Sequence, residues 1–199
     1  MKQINRQDII NLLGRSDYFN GLSPHSRAEL AGVCATRSLA RGELLFHEGR
    51  RGTHLAILAA GRAQLLKTSP EGREIVIRTV EPGEIFAEVV LFEQDTYPVS
   101  AVAVERASAV LLPREGINRL LEQAAFRKEF LGHLMRRLRY LADRILYLTT
   151  CDVEARFFGF LADQYGERQE YTVTMSKKHI AAAIGTVPET LSRLKERLE

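Results

Sequence analysis

Near the C-terminal end, Glu189, Ser192 and Arg193 stand at the spacing i, i+3, i+4, which places them on one face of a helix. A guanidinium there can grip the O6/N7 edge of guanine with two hydrogen bonds. A carboxylate can accept from the N4 amino group of cytosine, and a hydroxyl can donate to a base or a phosphate. Leu191, Leu194 and Leu198 would face a core on the other side. Ser176, Lys177, Thr186 and Thr190 are of the types that hold phosphate oxygens and set register without reading sequence, and Pro188 opens the helix beside Glu189. The plainer alternative is an exposed capping helix with ordinary charges. Catalytic chemistry finds less support. His54 is followed by Leu55 and Ala56, so the His-x-His pair of an iron dioxygenase is missing, and no Ser/His/Asp or Cys/His set has supporting context. The expectation is a protein that binds and does not catalyse.

The elements that must position these residues follow from pattern. Ser176 has the form of an N-cap, the Ala181–Ile184 run ends at Gly185, and Thr186 would cap the next helix, with Glu189 at the capping-box spacing. Helix, tight glycine turn, helix is a helix-turn-helix. Upstream, Leu131, Leu134, Leu138, Leu141, Ile145 and Leu148 follow steps of 3, 4, 3, 4 and 3, the a/d seam of a symmetric coiled-coil dimer. Packing of that helix on its own β-domain is the alternative. From about Ala35 to Leu112 short apolar runs alternate with Arg41-Gly42, Glu48-Gly49, Ala60-Gly61, Pro70-Glu71-Gly72 and Pro82-Gly83 turns. Seven or eight strands at that rhythm predict an antiparallel sandwich or jelly roll, preceded by two short helices. The chain therefore divides into a β-domain over 1–112, a linker and dimerisation helix over 113–150, and a helical domain over 151–199.

Composition agrees. The 199 residues are 45% apolar and 27% charged, which excludes a disordered or low-complexity polymer. Cys34 and Cys151 are the only cysteines, too few for a disulfide framework, a structural zinc or an iron–sulfur cluster. No membrane span or secretory signal is legible, so a cytoplasmic location is expected. The net charge is +3, with six Arg/Lys against two Asp/Glu between 126 and 150 and five against three between 176 and 199. The positive surplus sits where a polyanion would lie.

The sequence resembles the CRP/FNR superfamily of bacterial transcription regulators. The resemblance rests on Arg41-Gly42-Glu43-Leu44-Leu45-Phe46-His47-Glu48-Gly49, Gly61, Pro82-Gly83-Glu84-Ile85-Phe86-Ala87-Glu88 with Leu91-Phe92, and Glu189-Thr190-Leu191-Ser192-Arg193. It implies an α+β chain: an N-terminal antiparallel β-roll like a cyclic nucleotide-binding domain, a long dimerisation helix and a C-terminal winged helix-turn-helix. The family's β-hairpin wing would follow the recognition helix, beyond Glu199 where this sequence stops. It further implies a homodimer on double-stranded DNA, with RNA polymerase as a partner. The Glu-x-x-Ser-Arg row is similar to the anaerobic-regulator branch and implies TTGA…TCAA half-sites.

For the sensor, the resemblance places a ribose-binding Glu at Glu88. The phosphate-binding Arg-Ser pair falls on Pro98-Val99, and the adenine-binding pair falls on Leu141-Ala142. Pro98 has no N–H and neither position offers a positive charge, so cyclic nucleotide is not expected. An apolar effector pocket remains, formed by Phe86, Val89, Val99, Leu138 and Leu141 beside Glu88. The Phe86-Ala87-Glu88…Tyr97-Pro98-Val99 pattern is similar to the haem-dependent, nitric-oxide-responsive branch of nitrosative-stress regulators (DNR- and HcpR-like). That likeness implies haem held by His133, or failing that by His25, His47, His54 or Met135. Haem and another small apolar effector both stay open at this point, as does an interaction module that dimerises without touching DNA.

Overall fold

In the computed structural model, which describes residues 4–198, the chain opens with two capped helices. Asn5 and Asp8 form a capping box at the start of α1 (Arg6–Arg15), and Ser23 caps α2 (Pro24–Val33), whose first residue is proline. Eight strands follow: β1 (Ala35–Leu39), β2 (Leu44–Phe46), β3 (His54–Ala60), β4 (Ala63–Thr68), β5 (Glu74–Val80), β6 (Ile85–Phe86), β7 (Ser100–Ala103) and β8 (Ala107–Pro113). A short α3 (Val89–Phe92) interrupts them, and α4 (Arg114–Glu122), α5 (Ala124–Thr150), α6 (Val153–Tyr165), α7 (Lys177–Ala183) and α8 (Pro188–Leu198) complete the order. All pairings are antiparallel, in two four-stranded sheets of order β1-β8-β3-β6 and β2-β7-β4-β5. The expected β-roll is there. Residues 171–175, between α6 and α7, form no strand.

Strand alternation sorts the apolar side chains into two cores. On β3, Leu55 and Ile57 face outward to Leu13, Leu30, Ile117, Phe126 and Phe130 of the helices and to Phe19 of the turn between α1 and α2. Ala56 and Leu58 face inward, between the sheets. The inner core is lined with alanines (Ala63, Ala101, Ala103, Ala107, Ala109), and the space they leave is filled by Phe46, Phe86 and Tyr97. Phe46 and Tyr97 stack with ring centroids 3.9 Å apart. Gly61 illustrates why the turns carry glycine. Its φ is +79°, and a Cβ would lie 2.5 Å from the Arg106 carbonyl oxygen.

The chain forms two units, one ending at Met135 and the other starting at Arg136. The division thus falls inside α5, not at the expected bounds of 112 and 150, and residues 1–3 and 199 lie outside the described residues. In the first unit Glu129 accepts from Ser23 and Ser26, which pins the start of α5 to the head of α2. Cys34 is half-buried against the same helices, where its thiol donates to the Leu30 carbonyl at 3.2 Å and burial pushes its pKa up to about 12. The thiolate is the reactive species, so at pH 8 a thiol reagent should modify one cysteine, Cys151, within minutes. Cys34, with far less thiolate at that pH, should react much more slowly. Two equally fast thiols in the native protein would contradict this packing.

Candidate nucleic-acid interface

The second unit holds the helix-turn-helix. Ser176 caps α7, accepting from the His179 backbone N–H at 3.3 Å. The helix ends at Ala183 with Ile184 as its C-cap, and Gly185 takes φ +64°. Its N–H and that of Thr186 return to the carbonyls of Ala182 (3.2 Å) and Ala181 (2.9 Å), the two bonds of a Schellman turn. A Cβ on Gly185 would meet a Leu148 methyl at 2.5 Å, so space as well as handedness requires glycine. α8 then begins at Pro188, with the Val187 carbonyl accepting from Leu191 N–H at 3.2 Å. Thr186 is therefore one residue too early to cap α8, because it completes the preceding turn instead.

On α8, Leu191 and Leu194 are buried against Phe157, Leu161, Ile180 and Ile184. Leu198 is exposed, contrary to expectation, because it lies past the last residue of that core. The opposite face presents Glu189, Thr190 and Arg193 to solvent with Ser192 half-buried beside them. Lys177 Nζ lies 3.5 Å from Ser192 Oγ, so the head of α7 reaches the same face. Ser176, Lys177 and Pro188 are exposed and Thr186 half-buried. Arg197 is ion-paired with Glu154, whereas Arg193 makes no ion pair among the described residues. The expected reading face is assembled, with its arginine uncommitted.

The apolar seam is present but displaced. Leu131, Leu138, Leu141 and Ile145 are exposed in the single chain at 48%, 61%, 45% and 63%. Leu134 instead packs on the first unit's outer core, and Leu148 is half-buried over Gly185. Met135 and Leu146 are exposed in their stead. A helix that leaves so many large apolar side chains in water is incomplete as a single chain.

In the β-roll, Phe86 is buried in the inner core against Phe46, so it fills the interior and does not line a pocket. Val89 packs on the same core and Val99 is half-buried. Glu88 faces a cavity of about 280 Å³ walled by Arg15, Asp17, Tyr18, Arg78, Gly83, Glu84 and Ile85. Phe86, Val89 and Val99 are not among its walls. Just before Glu88, Ala87 holds φ +63°, a left-handed conformation that costs a residue with a Cβ about 1 kcal/mol or more. Ala87→Gly is therefore expected to raise stability by about 0.5–1 kcal/mol, read as a higher melting temperature. A loss of similar size would mean the backbone there is not left-handed.

His133 is buried, its Nε2 lies 3.0 Å from the Asp17 carbonyl oxygen, and its ring presses on Gly21, where a Cβ would lie 2.0 Å from Nδ1. With one nitrogen bonded and the other closed off by backbone, the imidazole is a packing group and does not fit a haem iron. His25 and His47 are exposed. His54 has a buried, unpartnered Nε2, and burial, then the charge of Arg37, lowers its pKa.

Residues 36–124 match the cyclic nucleotide-binding domain. The chain is 30% identical over 181 residues to the cyclic AMP receptor protein of Thermus thermophilus, covering 90% of this chain and 83% of that one. It is 25% identical over 190 residues to the CRP-like cAMP-activated global transcriptional regulator of Mycobacterium tuberculosis, covering 92% and 85%. The chain belongs to the CRP/FNR family. It is a CRP/FNR-type transcription regulator, and no helix among its described residues is long and apolar enough to cross a membrane. The crystal structure of DNR from Pseudomonas aeruginosa superposes with a TM-score of 0.60 at 23% identity, covering all of this chain and 88% of that one. That likeness extends to fold alone.

Family membership sharpens the question of cyclic nucleotide. At the phosphate position, the carbonyl of Pro98 accepts from Lys67 Nζ at 2.9 Å, and Lys67 is itself paired with Glu48 at 2.8 Å. That cation is thus already neutralised, and an anion placed beside it would meet a carbonyl and a carboxylate. These residues do not fit a cyclic phosphate. Two features were missed in sequence: the strained Ala87, and Arg156, which is buried on α6. The second left a trace, an arginine set in the apolar row of Phe157, Phe160 and Leu161.

Proposed function

We propose that this CRP/FNR-type regulator acts in the cytoplasm as a homodimer on palindromic DNA. α8 lies in the major groove, with Arg193 on guanine, Glu189 on cytosine and Ser192 on a neighbouring base or phosphate. Ser176, Lys177, Thr186 and Thr190 hold the flanking phosphates. The observation that carries this reading is the exposed Glu189, Ser192, Arg193 face directly after a glycine-closed helix turn. Two such faces on one dimer reach successive grooves about 34 Å apart, so the target has two-fold symmetry, of the TTGA…TCAA kind. The exposed leucines of α5 supply the dimer contact, and RNA polymerase is the partner through which binding becomes regulation. The β-roll is the sensor. Its effector is neither a cyclic nucleotide gripped at Pro98-Val99 nor a haem gripped by His133, since neither set of residues suits its group.

Fluorescence anisotropy with a labelled TTGA…TCAA duplex and a scrambled duplex tests the reading. Affinity for the palindrome should exceed that for the scramble by about 100-fold or more. Both affinities should fall steeply between 50 and 200 mM salt as phosphate counterions are exchanged. Equal affinity for the two duplexes at every salt concentration would reduce the protein to a non-specific polyanion binder.

A further inference from the structure

We propose a second, anion-binding site in the C-terminal unit, built on Arg156 and Arg144 and suited to the phosphate group of a small molecule. Arg156 is only 7% exposed, yet no carboxylate faces it among the described ion pairs. Its Nη1 donates to the Leu148 carbonyl at 3.1 Å, and its Nε is buried with no hydrogen-bond partner. The carbonyl end of α5 offsets part of that charge through the helix dipole, worth about half an elementary charge. The rest of the guanidinium charge and one orphaned donor remain, and both are costly in a buried place.

Arg156 opens onto a cavity of about 430 Å³, walled also by Arg144, Tyr147, Gly159, Phe160 and Asp163. Arg144 donates to the Ala183 carbonyl and lies 5.4 Å from the centre of the Tyr147 ring, which holds its guanidinium at the cavity wall. Two guanidiniums meet one exposed carboxylate, Asp163, so the walls are net positive. Guanidinium forks match tetrahedral phosphate oxygens, and the Nε–H edge of Arg156 is the unused side of one such fork. An anion there would tie the last turns of α5 to α6 and to the end of α7. Glu189, Ser192 and Arg193 do not wall this cavity, so the site is separate from the proposed DNA-reading face.

The test is thermal unfolding of the whole protein in inorganic phosphate, AMP or glucose 6-phosphate, each against chloride at matched pH and ionic strength. Phosphate compounds should raise the melting temperature at millimolar concentration where chloride does not. Arg144→Gln should raise the half-saturating concentration at least 10-fold while leaving anisotropy on the palindromic duplex unchanged. Stronger stabilisation by AMP or glucose 6-phosphate than by phosphate assigns the site to a phosphorylated metabolite, and equal stabilisation assigns it to the free ion. Arg156→Lys keeps the charge but loses the fork, and should weaken binding similarly. Should phosphate compounds and chloride act alike, or should Arg144→Gln respond as the natural protein does, there is no such site.

Discussion

Leu138→Asp is expected to convert the protein to single subunits at micromolar concentration and to weaken its hold on a palindromic duplex by about 100-fold or more. Leu138 is 61% exposed in the single chain, so the substitution removes nothing from that chain's own core. Circular dichroism should therefore be unchanged. In a dimer joined along α5, however, the same side chain sits in the seam with its symmetry mate close by. Two aspartates brought together there lose water and repel one another, a cost of several kcal/mol against an interface made of a few leucines per chain. Sedimentation velocity reads the mass and anisotropy reads the DNA. A variant that stays dimeric would place the interface elsewhere on the molecule.

Arg193→Ala is expected to cost about 1–3 kcal/mol of binding, roughly 5- to 150-fold, on the palindrome and much less on scrambled DNA. Arg193 is exposed, on the same face as Glu189, and free of ion pairs among the described residues, whereas Arg197, one turn on, is engaged by Glu154. Only the uncommitted arginine can lend both of its donors to guanine. The specificity ratio is the quantity that decides. Loss shared equally by specific and scrambled duplexes would make Arg193 a phosphate contact. Arg197→Ala, by contrast, should leave the ratio intact.

The β-roll and the helix-turn-helix were legible because their signals are local: alternation of apolar residues between glycine turns, and a small-residue helix closed by Gly185 before a proline-led one. What escaped depends on contacts between distant parts of the chain. The heptad named the apolar residues of α5 but not their neighbours, and so missed that Leu134 packs on the first unit's core and Leu148 lies over Gly185. His133 looked like a ligand because its carbonyl partner and the glycine beneath it lie at the other end of the first unit, at Asp17 and Gly21. The break between α4 and α5 at Gln123 was invisible for the opposite reason. Its ψ of 119° interrupts a run of good helix formers that carries neither glycine nor proline. The filled interior around Phe46, Phe86 and Tyr97 arises from sheet-to-sheet packing, which a one-dimensional pattern does not encode.

The proposed function reduces to paired subunits each presenting one α8 to the same duplex. Native mass spectrometry of the protein mixed with a TTGA…TCAA duplex counts the partners in a single experiment. Two chains on one duplex, at concentrations where a scrambled duplex stays bare, is the expected result. One chain per duplex, or the same occupancy on both duplexes, would contradict it.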